Sequence, residues 1–257
     1  ANVTGNGFPN YAETCGVSPT VADAMVGWVF TGELVAALTR LGKMPVMYET
    51  IGAYGGNARM VQYKNGDIPF HEDLKTPIAP VAPGVLGNRY VDNVGGMLRR
   101  MELEQRGNLD RVGGWAREAK AANKQLFMYS MGHLFPDEVG KTAIGTLYKS
   151  TGWSAGFRGA AQPNDTYQPG DLAVLIGYQH PASDLLRKAR PAGARVAYLA
   201  LFADRDFTRD SDVVWIDPMW SWPDACVALN GYDVPLLPAS GVVNGAIAWE
   251  IYRLSVK

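Results

Sequence analysis

The chain has 257 residues, with 24 Lys and Arg against 25 Asp and Glu, and 47% hydrophobic against 19% charged content. That length holds one large or two small domains, and the composition excludes wholesale disorder and a fibrous protein. Neither charge sign gathers into a block, so the electrostatic footprint of a nucleic-acid partner or an anionic membrane surface is missing.

The first residues are polar and glycine-rich, and the chain opens on Ala1 without methionine, which reads as a product trimmed after export or as a trimmed tag. Export is slightly favoured over a cytoplasmic location. Cys15 and Cys226 are the only cysteines, either a disulfide or two buried thiols. Asn2-Val3-Thr4 and Asn164-Asp165-Thr166 match a glycosylation pattern that chance produces often. From Pro19 to Leu41, apolar residues at Val21, Met25, Trp28, Val29, Leu34, Val35, Leu38 and Leu41 predict one amphipathic helix that stops at Gly42. Asp23, Glu33 and Arg40 interrupt its apolar run, so no membrane span is expected.

Met44 to Glu49 is short and apolar, and Thr50 to Leu86 is a Gly-, Pro- and Asn-rich excursion of a length usually tied to function. Its Gly52-Ala53-Tyr54-Gly55-Gly56-Asn57 stretch has no βαβ context and is not a dinucleotide fingerprint. Tyr90 to Ala122 predicts a second helical stretch broken near Gly107-Asn108. A strand follows at Gln125–Tyr129, then a short helix at Pro136–Lys141 and a strand at Ile144–Tyr148.

Beyond the loop from Gln162 to Gly170 the alternation becomes regular. Strands are expected at Leu172–Gly177, Val196–Phe202, Val213–Ile216 and Val234–Leu237, with helices at Ala182–Ala192 and Val242–Leu254. Continuous apolar strands alternating with helices predict an α/β fold, a doubly wound parallel sheet flanked by helices. Residues 91–257 would form this domain, and residues 1–90 a helix and loop that cover it.

In such a sheet, ligands bind beyond the carboxyl ends of the strands. Three turns qualify: Ser130-Met131-Gly132-His133, Gly177-Tyr178-Gln179-His180-Pro181-Ala182-Ser183, and Pro238-Ala239-Ser240-Gly241-Val242-Val243-Asn244. The Gly170-Asp171-Leu172-Ala173-Val174-Leu175-Ile176-Gly177 strand, the Ser183–Arg190 helix, the Gly193–Leu199 strand and the Leu237–Ala246 turn together resemble the sugar isomerase (SIS) family. The resemblance covers about two-thirds of the chain and is architectural. It implies a homodimer that binds or isomerises a sugar or amino-sugar derivative without a cofactor. Phosphosugar-binding members place several hydroxyls in the second turn, whereas Tyr178, Gln179, His180 and Pro181 stand there, which points to an unphosphorylated sugar or another polar ligand.

The expected ligand-binding residues are Ser130, Gly132, Gln179, Ser183, Ser240 and Asn244. His133 and His180 are candidate acid–base groups, since imidazole titrates near working pH and suits aldose–ketose proton transfer. Glu33 and Glu138 are candidate carboxylate bases, and Glu49 has similar standing. The competing readings are plain ones: loop histidines bonded to backbone, Glu33 facing solvent or paired with Arg40, and Trp215, Trp220 and Trp222 as core or subunit interface. A non-catalytic sugar-binding protein and a hydrolase using His71, His133 and His180 as metal ligands are the alternative functions.

Overall fold

The computed structural model describes residues 19–47, 52–67, 77–130, 142–150, 165–207 and 209–257. In chain order the elements are α1 (Pro19–Arg40), α2 (Gly56–Asn65), α3 (Val85–Glu104), α4 (Arg106–Ala121), β1 (Leu126–Ser130), α5 (Ala143–Leu147), β2 (Lys149–Ser150), β3 (Leu172–Ile176), α6 (Ser183–Ala189), β4 (Arg195–Leu199), β5 (Val213–Ile216), β6 (Ala225–Val227), β7 (Leu236–Pro238) and α7 (Ser240–Val256). They group into two compact units. One is built from Met97–Trp220 and Ser240–Lys257 with the first residues of α1, and the other from Ala24–Gly96 and Ser221–Ala239. Helix α3 runs through residue 90.

The first unit is α/β. Its sheet is parallel throughout, in the order β2-β1-β3-β4-β5, with β2 only two residues long. β1 and β3 are buried at every position, which explains their unbroken apolar sequences. Helices flank the sheet: α4 packs on β1, β3 and β5 and along α7, α5 packs on α7 and β2, and α6 packs on β4. The Gly170-Asp171 pair that precedes β3 has a mechanical role. Gly170 takes φ +88°, and the buried Asp171 carboxylate accepts from the N–H groups of Gln125 (2.9 Å) and Gln168 (2.8 Å), which ties the entry of β3 to that of β1.

Helix α4 approaches α7 through Gly113. A Cβ there would sit 2.5 Å from Leu254 Cβ and 3.1 Å from its backbone, whereas one on Gly114 would meet only Arg117, at 3.8 Å. Alanine is the better helix former by about 1 kcal/mol. Gly114→Ala should therefore stabilise by about 0.5–1 kcal/mol, while Gly113→Ala should destabilise by about 1–3 kcal/mol through overpacking; paired chemical denaturation checks the opposite signs.

In the second unit, α1 lies on the start of α3. Gly32 leaves room for Leu86 and Leu237, and Glu33 reaches the first turn of α3. The β6–β7 pair is antiparallel and forms a sheet of its own, so the strand expected near Val234–Leu237 does not join the parallel sheet. Its backbone is met by α3 side chains: Tyr90 Oη donates to Pro238 O (3.0 Å) and Asn93 Nδ2 to Cys226 O (2.6 Å).

Two further expectations are corrected. Ile144–Tyr148 is not a strand: Thr142 caps a short helix there by accepting the Ile144 N–H, and only Lys149–Ser150 extends. The 50–86 excursion holds α2, framed by Gly55 (φ +73°) and Gly66 (φ +75°), and its mostly polar sequence gave no apolar stripe to reveal it.

Candidate functional site

The sheet order turns back at β1: the chain runs outward to β2 and then crosses to β3. Neighbouring parallel strands whose connections leave in opposite directions mark a topological switch point, the place where ligands bind in open α/β sheets, and that point lies between β1 and β3. Ser130 ends β1 and is buried. Beyond β3 the backbone stays paired with the β4 side, through Gly177 N to Leu199 O (2.9 Å) and Leu201 N to Tyr178 O (2.8 Å). Gly177 is required here, because a Cβ would stand 2.6 Å from Leu199 O. The Tyr178 ring, also buried, stacks on Trp220 with centroids 4.9 Å apart.

Asn244 is fully buried on α7. Its Oδ1 accepts Trp220 Nε1–H (3.0 Å) and its Nδ2 donates to Gly177 O (3.0 Å), so the amide is a strut across the floor of the β3 turn. Ser240 is fully buried at the start of α7. Ser183 opens α6 and donates to Asp204 Oδ2, at 2.5 Å. Asp204 Oδ1 accepts the Asp206 N–H (3.1 Å), and the Asp204 N–H donates to Tyr198 Oη (2.7 Å). Gln179 is half-buried and His180 is exposed. The β3 turn thus presents Gln179 and His180 from a backbone fixed from below, with the Asp204 carboxylate held beside the first turn of α6. Chemically, this supplies an amide, an imidazole and a carboxylate that already has a hydroxyl partner.

Glu33 lies in the other unit. Its carboxylate accepts the N–H groups of Gly84 (2.6 Å) and Gly87 (2.9 Å), two of the donors that a helix N-terminus leaves without intrahelical partners. This is the work of a cap. Glu33→Ala should cost about 2 kcal/mol, measured by denaturation, with Glu33→Gln recovering part of the loss.

Gly132, His133, Glu138, His71, Glu49 and Cys15 lie outside the described residues. Cys226 carries a free thiol that burial, with help from Asp224, pushes up to about 12. Among the described residues no group of three His, Cys, Asp or Glu side chains is placed to hold a metal.

The sequence reading missed Asp204, Trp220 as the partner of Asn244, and a buried cluster on β1. There Tyr129 Oη donates to Asp165 Oδ2 (2.8 Å) and lies 2.6 Å from Tyr167 Oη, and Lys149 Nζ is 3.8 Å from Asp165 Oδ1. Periodicity could not find it, because Asp165 and Tyr167 come from the polar loop before β3. A cavity of about 500 Å³, within the range of small-molecule sites, lies along β5, lined by Asn108, Arg111, Tyr198, Phe207, Arg209 and Trp215 among others. It is two strands from the β1–β3 switch point. Asn108 and Arg111 donate there to Trp215 O on β5 and to Ser211 O just before it.

The chain matches no model of a known protein family, and no curated protein matches its sequence.

Proposed function

We propose that the α/β unit is a divergent sugar isomerase domain that binds a sugar or amino-sugar derivative at the switch point between β1 and β3. The observation that carries this reading is the all-parallel order β2-β1-β3-β4-β5, which gives the unit a switch point at the two turns where the sequence concentrates Ser130, Gly132 and His133 and then Gln179 and His180. Gln179 and His180 would meet the ligand's hydroxyls. Ser183 and Asn244, whose polar groups already serve the fold, would shape the walls. In an isomerisation, His133 or His180 would take a proton from one carbon and return it to the neighbouring one, with Glu138 or Asp204 as the carboxylate partner.

A second reading, a binding protein without turnover, is favoured by the internal use of Ser183 and Asn244, which leaves fewer side chains free for chemistry.

Thermal-shift screening of metal-free protein against sugars, amino sugars, their phosphates and divalent metals tests both, with His133→Ala and His180→Ala in parallel. Stabilisation by a sugar, weakened about tenfold or more in apparent affinity by each variant, supports the site; a shifted aldose–ketose ratio in the same samples separates isomerase from binding protein. Stabilisation by metals alone, or by none of these, rejects the sugar reading.

A further inference from the structure

We infer that α1 pairs with α1 of a second copy of this chain, antiparallel, through the face it turns away from its own unit. The inference is independent of the sugar reading. On α1 the fully or nearly fully buried Val35, Ala36 and Thr39 lie with Gly32 on one side. At about 100° per residue, Asp23, Phe30, Leu34 and Leu41 fall within about 40° of one another on the opposite side. Phe30 is 68% exposed, Leu41 71%, Leu34 48% and the flanking Val26 46%. Exposed Gly27 and half-buried Ala37 complete the stripe, and a Cβ on Gly27 would meet nothing within 4 Å. Isolated exposed apolar residues are ordinary, but a contiguous stripe over several turns marks an interaction surface.

The sequence of the stripe selects its occupant. Read forwards it runs Asp23, Gly27, Phe30, and read backwards Leu41, Ala37, Leu34. An antiparallel two-fold pair therefore sets Phe30 against Leu34 and Gly27 against Ala37, large with large and small with small, so that the helices approach closely. The same pairing is electrostatically complementary. Exposed Asp23 marks the amino end of the stripe and exposed Lys43 follows its carboxyl end, so each acidic end meets a basic one. Parallel pairing would oppose Asp23 to itself. The helix dipoles favour the antiparallel arrangement too.

By length and composition α1 is also long and apolar enough to cross a membrane. The rest of its circumference argues for a protein partner: it holds Glu33, whose carboxylate is committed to the backbone of Gly84 and Gly87, and Thr39, whose hydroxyl accepts the Val81 N–H (3.0 Å). A helix so fastened along one side presents only a stripe.

Size-exclusion chromatography with light scattering on the full chain, from micromolar to hundred-micromolar concentration, should give a dimer. Phe30→Glu and Leu34→Glu should each raise its dissociation constant by at least about 100-fold, because both symmetric copies would bury an uncompensated carboxylate. Their far-UV circular dichroism should stay that of the wild type, since both side chains are exposed in the single chain. With Cys15 and Cys226 replaced by serine, a mixture of Gly27→Cys and Ala37→Cys chains should cross-link under mild oxidation, and neither variant alone should do so. A monomeric wild type, a dimer indifferent to both glutamates, or self-cross-linking of Gly27→Cys would overturn the proposal. So would a monomer that partitions into phosphatidylcholine vesicles, which would give the stripe to lipid.

Discussion

Raising the pH from 10 to 12 is expected to unfold the α/β unit cooperatively. Burial pushes the hydroxyls of Tyr148 and Tyr167 up to about 12, and burial with the neighbouring Tyr167 and Asp165 holds Tyr129 higher still. In the unfolded chain all three ionise near 10. A group whose pKa is raised by folding contributes its full stabilisation below the unfolded value and loses it as the pH climbs past that value, because the unfolded chain releases protons that the native state retains. Each tyrosine then removes about 1.4 kcal/mol per pH unit, so three remove about 4 kcal/mol by pH 11, a large part of a typical domain's stability. The denaturant midpoint should fall steeply above pH 10, with a step of tyrosinate absorbance that coincides with loss of circular dichroism. Tyr129→Phe should reduce the steepness at the price of some neutral-pH stability. Smooth titration of every tyrosine near 10 with native dichroism would contradict the burial argument.

Replacing Asn244 by leucine should cost about 3 kcal/mol and lower the melting temperature by roughly 6–12 °C. Leucine keeps the branched four-atom skeleton but is bulkier, so overpacking adds to a mainly polar loss: Trp220 Nε1–H and Gly177 C=O both forfeit a buried partner. Asn244→Asp keeps an acceptor for Trp220 but turns a carboxylate oxygen toward the Gly177 carbonyl, and should be no better. Because Gly177 opens the turn that carries Gln179 and His180, ligand affinity should fall together with stability in both variants. A leucine variant as stable as the wild type would mean that the turn is held by other contacts.

The parallel sheet was legible because its strands are short apolar runs separated by helix-length spacings. Val213–Ile216 falls where expected, and Leu172–Gly177 and Val196–Phe202 differ from the observed strands only at their ends. Leu236–Pro238 is just as apolar, yet it pairs with Ala225–Val227. A three-residue run carries no mark of which sheet it joins, and pairing is decided by what the returning chain meets. Glu33 drew attention because a carboxylate on an apolar face needs an explanation. The explanation was the bare N-terminus of a helix more than fifty residues later, which local spacing could not reveal. Asn244 was legible as a polar residue near a strand-to-helix turn, but the direction of its amide was not, because both of its partners are distant in sequence.

The central claim is that a sugar-type ligand occupies the β1–β3 switch point, and hydrogen–deuterium exchange with and without the best-stabilising sugar tests it most directly. Slowed exchange in peptides covering 126–137 and 176–187, with the β5 edge and α1 unchanged, is the predicted result. Protection confined to the peptides around Phe207 and Trp215, or no protection at saturating sugar, would contradict it.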